Sequence, residues 1–252
     1  MAGAREEDRR SVAQKLFAIL DAFDGGPTLT LTEIAHRASL PLSTAHRLVA
    51  ELTEWGGVVR ADDGRYSLGL RLWRLGVRQP TARRLSALAR PYLEDLLELT
   101  GEHVHLAVLD GLGATYLERL SGRDAVRVLS AVGAKLPLHA TGVGLALLAF
   151  APPELLDEVL AAGPVKFQPE TLTTEKELRA RLAEIRATDL SVSVNALTPR
   201  VFSIAAPVRN SSGQVVAAVS IIARIERQAE PQFEFGVRMA ARGISSALGW
   251  HP

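Results

Sequence analysis

The 252-residue sequence predicts an α+β chain in two parts. The first is a short helix-turn-helix carrying a two-stranded wing; the second is a larger sandwich of antiparallel strands and helices. Three observations predict this. Apolar residues recur at three and four between Ser11 and Trp55, the period of a helix with one buried face. After Gly101 the period drops to two, with turn residues between the runs. Between these regions Leu68–Thr100 reads as helix, interrupted at Gln79-Pro80-Thr81.

Taken in order, Ser11–Phe23 is the first helix, with Ser11 as its cap and Val12, Leu16, Ile19, Leu20 and Phe23 on one face. Asp24-Gly25-Gly26-Pro27 stops it. Thr32 is the expected N-cap of the next helix, with Glu33 in its first turn and Ile34, Ala35 and Ala38 facing inward. Ser39-Leu40-Pro41 breaks the pattern, and Pro41 suits the first turn of a new helix because its missing N–H would have no partner there. From Pro41 to Trp55 the spacing predicts a buried stripe of Leu42, Ala45, Leu48, Val49 and Leu52. The other face carries Ser43, Thr44, His46, Arg47, Ala50 and Glu51. Short donors and one arginine near a helix N-terminus suit a major groove, because bulky groups would hold the backbone away from the bases. Gly56-Gly57 ends the helix. Val58–Arg60 and Arg65–Leu68 read as strands about an Asp62-Asp63-Gly64 turn, which sets Arg60 and Arg65 where phosphates or a minor groove could meet them. A helical hairpin with a surface β-hairpin and no nucleic acid fits the same spacing.

A domain boundary is expected near Gly76–Thr81, after a Trp73-bearing amphipathic stretch that serves either as a pairing surface or as packing for the wing. His103–Leu109, Ala114–Leu120 and Ala125–Ser130 read as three strands. Gly142–Phe150, Pro152–Ala162 and a segment capped by Thr173 or Thr174 and running to Arg186 read as helices. Strands follow at Leu190–Val194, Val201–Val208 and Gln214–Ala223, then a closing helix over Glu230–Leu248. Antiparallel hairpins with helices grouped on one side define the expected sandwich.

Composition narrows the function. With 47% hydrophobic residues the chain can bury a core. Without cysteine it has no disulfide, thiolate metal site or cysteine nucleophile. The charged residues after Met1 argue against a signal peptide, and the most apolar run, Val143–Ala151, is too short to cross a bilayer; a cytoplasmic protein with no membrane partner is expected. The net charge is +1, and residues 1–78 hold 11 basic and 10 acidic side chains. Any DNA affinity must therefore come from charge placement, helped by two copies of the module.

Nucleotide-binding, zinc-protease and nucleophile-elbow motifs are absent from the sequence. His103 and His105 would share a strand face; with no third ligand nearby they read as sheet surface rather than metal ligands. Glu94, Asp95 and Glu98 read as a hydrated helix face. No cofactor and no metal are expected. The informative stretch is Leu136-Pro137-Leu138-His139-Ala140-Thr141-Gly142-Val143-Gly144, where Thr141 caps a helix that glycines open. Such a terminus can accept an anion, although the glycines could equally serve tight helix–sheet packing.

Six stretches, in order and over nearly the full length, resemble the IclR-type bacterial transcription regulators: LTEIAHRASLPLSTAHRLVAEL, GRYSLGLRLWRLG, RPYLEDLLELTGEHVHLAVLDG, LPLHATGVGLALLAF, SIAAPVRNSSGQVVAAVSI and RGISSALGW. The resemblance implies a charged tail over 1–10, a winged helix-turn-helix DNA-binding domain over 11–68, a linker helix over 69–82 and a GAF-like α/β effector-binding domain over 83–252. It implies a homodimer or dimer of dimers on a palindromic operator in double-stranded DNA, acting as repressor or activator. Ser43, Thr44, His46 and Arg47 would lie at the groove, with Arg60 and Arg65 on the wing. A small organic effector, with a carboxylate among the candidates, would be lined by Val128, Gly142, Val143, Ser193, Val201, Ser203 and Ser220. This sequence departs from the family at Leu145, where a lysine is usual, at the loop SVSVNALTPR, which lacks the usual acid, and at Ser203, where a cysteine is common. Those departures keep a second reading open, a regulator with a degenerate pocket acting through protein partners. An enzyme with an interaction module is the third.

Overall fold

The computed structural model describes residues 10–251 apart from 124, 127 and 129. The expected flexible tail thus falls almost wholly outside the described residues. The chain divides into two compact units, Met1–Arg83 and Arg84–Pro252.

The first unit begins with α1 (Val12–Asp21), where Ser11 and Gln14 form a reciprocal capping box, followed by a 3-10 turn over Ala22–Gly25. Helix α2 (Leu31–Arg37) is capped by Thr30, not Thr32, because Glu33 stands three residues after Thr30 and bonds back to its N–H at 2.7 Å. Ser39, at φ +51°, turns the chain into α3 (Leu42–Trp55), with Pro41 as the N-cap. Gly56, at φ +80°, ends α3 in the left-handed conformation that glycine adopts at little steric cost. Strands β1 (Val58–Arg60) and β2 (Tyr66–Leu68) pair antiparallel, and Leu29 exchanges backbone hydrogen bonds with Tyr66. Ile19, Phe23, Leu29, Ile34, Leu48, Val49 and Val58 form one buried cluster. Two expected members are outside it: Leu42 is 53% exposed and Val12 is 54% exposed. Each is the first residue of its helix, where no second layer covers it. Helix α4 (Leu70–Gly76) follows at once. A side chain at Gly69 would collide with the carbonyl of Gly56, so glycine is required there. Trp73 is 64% exposed, so it does not pack into the wing.

Helix α5 (Pro80–Thr100) leads into the second unit. That unit is built on β3 (His103–Asp110), β4 (Gly113–Leu120), β5 (Lys135–Pro137), β6 (Ser191–Val194), β7 (Val201–Arg209) and β8 (Val215–Arg224). The order is β5-β4-β3-β8-β7-β6 and every pairing is antiparallel. The expected strand over 125–130 is not formed at Ala125, Val126, Val128 or Ser130; Arg127 and Leu129 lie outside the described residues. That stretch is held by side chains instead, with the Val126 carbonyl on His103 and the Ser130 carbonyl on Arg119, and the strand beside β4 comes later, at Lys135–Pro137.

The helices are not confined to one side. Helices α5 and α9 (Pro231–Ala247) cover one face, packing Leu93, Leu96, Phe233 and Ile244 against Leu106, Phe202, Val219 and Ile221. Helices α6 (Gly142–Ala149), α7 (Pro153–Ala161) and α8 (Glu175–Thr188) pack against the other. Strand β7 explains why: Val201–Val208 is buried at every position, on both parities, so both of its faces need cover. Helix α6 is likewise buried at all eight positions.

The contrast within α3 is testable. Leu48→Ala, at a fully buried site, should lower the stability of the first unit by about 2–5 kcal/mol. Leu42→Ala should change it by less than about 0.5 kcal/mol; denaturant midpoints of the two variants check both.

Candidate functional site

The side chains expected at a groove share one side of α3. Ser43, His46 and Arg47 are exposed and Thr44 is half-buried, while Ala45, Leu48, Val49 and Leu52 face the core. Arg47 pairs with Glu51 one turn on, and both side chains are about half exposed. Exposed pairs of this spacing stabilise a helix by only ~0.3–0.5 kcal/mol, so Arg47 is readily exchanged to another acceptor. On the wing, Arg60 is exposed, with its guanidinium 5.8 Å from the Tyr66 ring centre. Arg65 is turned inward: it donates to Thr28 at 3.1 and 3.3 Å and lies 3.4 Å from Glu33. It therefore ties the wing to the capping box of α2. Among the described residues no His, Asp and Glu cluster could hold a metal.

The second unit contains a cavity of about 50 Å³. Its lining brings together Val128, Gly142, Ser193, Val201 and Ser203 of the expected set. Ser193 and Ser203 are directly opposite one another on β6 and β7, and Ser203 is directly opposite Ile222 on β8. One register row thus lays two hydroxyls and an apolar side chain along the floor. Ser203 is 9% exposed and has no hydrogen-bond partner among the described residues. A Cβ built on Gly142 would fall 2.5 Å from the Ser203 hydroxyl oxygen, so only glycine lets α6 begin there. Gly144 serves packing, since its Cβ would fall 2.5 Å from the Leu138 carbonyl. Thr141 caps α6, accepting from the Gly144 N–H at 3.1 Å, while the Gly142 and Val143 amides find no acceptor among the described residues.

Two expected lining residues are misplaced. Val143 is one residue beyond Gly142, so its side chain turns about 100° around the helix into the core beneath α6. Ser220 is opposite Ala205 and His105, two register rows along from Ser203, and is 1% exposed. The sequence reading missed Tyr116, Ser130, Thr198 and Ile222 as lining residues. Tyr116 and Ile222 share their strand faces with the expected residues and could have been found by period; Ser130 and Thr198 are on connections, where no period points inward.

Among the described residues no Asp, Glu, Lys, Arg or His lines the cavity. Behind it, His103 and His105 are buried rather than exposed on the sheet. Ser121, Val126 and Ser130 meet them: His103 Nδ1 meets the Ser121 hydroxyl at 3.0 Å, its Nε2 meets the Val126 carbonyl, and His105 Nε2 meets the Ser130 hydroxyl at 2.8 Å. Burial, and then the neighbouring His103 and Arg119, push the His105 imidazole down to about 3. Burial also lowers His103, and raises the Tyr116 hydroxyl above its ordinary value.

With this geometry in hand, residues 81–246 match the family described as bacterial transcriptional regulator IclR C-terminal, and residues 12–62 match the IclR helix-turn-helix domain. The chain belongs to the IclR family. It is 30% identical over 250 residues to the HTH-type transcriptional regulator KipR of Bacillus subtilis, covering 97% of this chain and 99% of that one. It is 32% identical to the HTH-type transcriptional repressor AllR of Klebsiella pneumoniae, over 99% and 95% of the two chains. Among solved structures it is similar to an IclR homologue of Microbacterium hydrocarbonoxydans complexed with 4-hydroxybenzoate, with 36% identity, a TM-score of 0.85 and coverage of 94% and 99%. Like these IclR relatives the chain is a DNA-binding transcription regulator and not an enzyme.

The buried imidazole gives the IclR effector domain a pH signature. Below about 6.5 the unfolded chain protonates His105 while the folded chain does not, until about 3. Stability from this residue is therefore full at neutral pH and lost as pH falls through that window. Between pH 7 and 5, His105→Gln should lose less of its own stability than wild type, by about 1–2 kcal/mol, read from denaturant unfolding at the two values.

Proposed function

We propose that residues 11–68 read double-stranded DNA, that 69–82, made of α4, a break at 77–79 and the start of α5, form the linker, and that 83–252 form an effector-binding domain whose small organic ligand changes operator affinity. The observation that carries the effector reading is the meeting of the unsatisfied Gly142 amide at the start of α6 with the buried hydroxyl of Ser203, unpartnered among the described residues, in one cavity. Ser193 adds a second hydroxyl on the same row. Such a site holds an oxygen acceptor, and a carboxylate is favoured there by the positive end of the helix. The 4-hydroxybenzoate held by the Microbacterium relative is of that chemistry. A cavity of about 50 Å³ has room for only a few heavy atoms, at ~10–15 Å³ per water-sized group, so an aromatic acid requires the walls to part.

On the DNA side, Ser43, Thr44, His46 and Arg47 face the major groove, with Arg60 and Arg65 on the wing near the backbone. A near-neutral module gains specificity by acting in pairs. The exposed Leu70, Trp73 and Leu75 of α4 supply an apolar surface for a homodimer or dimer of dimers on a palindromic operator. The working compartment is the cytoplasm, in keeping with a DNA-binding chain in which no described helix is long and apolar enough to cross a membrane. Effector binding biases the placement of the two reading heads, with a coupling of ~1–3 kcal/mol.

Arg47→Ala should weaken binding to an operator recovered by selection from random DNA by about 1–3 kcal/mol; unchanged anisotropy titrations would remove Arg47 from the reading surface. Gly142→Leu, whose side chain would run into Ser203, should abolish the effector response and spare DNA binding. A normal effector titration in a folded Gly142→Leu variant would move the site elsewhere.

A further inference from the structure

Among the described residues the cavity wall carries no charge, but the layer behind it does. Arg119 on β4 is directly opposite His105 on β3. Its guanidinium donates to the carbonyl of Ser130, a lining residue. Its Nε is buried with no partner, and no ion pair involves it among the described residues. His105 meets the Ser130 hydroxyl, and its own Nδ1 is also buried without a partner. Among the described residues, the charged groups that act on the two imidazoles are Arg119 on both and His103 on His105, with no carboxylate among them. The acids on the flanking positions are engaged elsewhere: Glu118 with Arg90, and Glu102 with Arg227. Such a guanidinium, half-buried and without a carboxylate partner among the described residues, is a positive charge one residue behind a polar wall.

Resting on the reading of this cavity as the effector site, we propose that Arg119, held against the Ser130 carbonyl, is the counter-charge of the effector and makes the cavity selective for monocarboxylate anions over uncharged ligands of the same shape. Leu145 packs into the core and does not line the cavity, and the described lining residues are uncharged, so the charge is set from the second layer. Arg119 touches no ligand. It holds the Ser130 wall in place and makes the potential within the cavity positive, while the Gly142 amide and Ser203 make the direct contacts.

The test uses two isosteric pairs, acetate with acetamide and benzoate with benzamide, titrated calorimetrically into the full-length protein. Wild type should bind each anion more tightly than its amide. Arg119→Gln should lower that anion-to-amide ratio about tenfold or more with amide binding retained, and Arg119→Lys should restore most of it. Retained amide binding shows that the variant keeps its cavity, which a merely structural loss would not. An unchanged ratio in Arg119→Gln, or a wild type that binds amides as well as anions, overturns the counter-charge and leaves the effector cavity standing. Binding of none of the four ligands by wild type overturns both.

Discussion

A helix that is apolar all round cannot lie on a surface. Helix α6, Gly142–Ala149, is buried at every position, and the second unit is arranged to bury it. Strands β3, β4, β7 and β8 supply Ala107, Tyr116, Ala205 and Ala218 beneath it, and α8 supplies Leu178, Leu182 and Ile185 beside it. Small residues on the strands let the helix come close, and the glycines at its start let it come closer still. That approach forces a consequence. The first amides of α6 lose their water without gaining an intrahelical acceptor, and they do so beside a serine row rather than an alanine row of the sheet. A small polar pocket in an otherwise apolar layer results from the packing.

The first unit obeys the same logic on a smaller scale. Its cluster is complete with Ile19, Ile34, Leu48 and Val58, so the outer side of α3 has no core to serve. What remains there is short and polar, with one arginine lightly held by Glu51. The wing is fixed by Leu29 bonding to Tyr66 and by Arg65 clasping Thr28 and Glu33. Of the two wing arginines, Arg65 spends much of its hydrogen bonding on orientation, and Arg60 is the one left exposed.

Much of this was legible in the residues, and the failures have physical causes. Period and turn chemistry gave every α-helix and five of the six strands of the second unit to within a residue or two; the strand missed is β5 at Lys135–Pro137, read as a turn, while the strand expected over 125–130 does not form at its described residues, where Val126 and Ser130 anchor to His103 and Arg119 instead. The reading placed helices on one side of the sheet because alternation implies one buried face, yet β7 is apolar on both parities and demanded cover twice. The cavity was half visible. Gly142 stands out as the start of a capped, glycine-led helix, and Ser193 and Ser203 follow from the family resemblance, whereas the loss of Ser220 turns on a register that sequence does not contain. Arg119 and the buried imidazoles were invisible as a group, because what joins them is cross-strand pairing and a covering loop.

The account claims that occupation of the cavity and occupation of the α3 surface are two ends of one equilibrium. Linkage makes this directly measurable, because any factor by which an effector changes operator affinity must reappear as the factor by which operator DNA changes effector affinity. The decisive measurement is therefore the effector dissociation constant of the full-length protein, taken once alone and once saturated with operator, set against the operator constant taken with and without effector. The account predicts the same factor, about 5- to 150-fold, in both directions. An effector that binds equally well to free and operator-bound protein would contradict it.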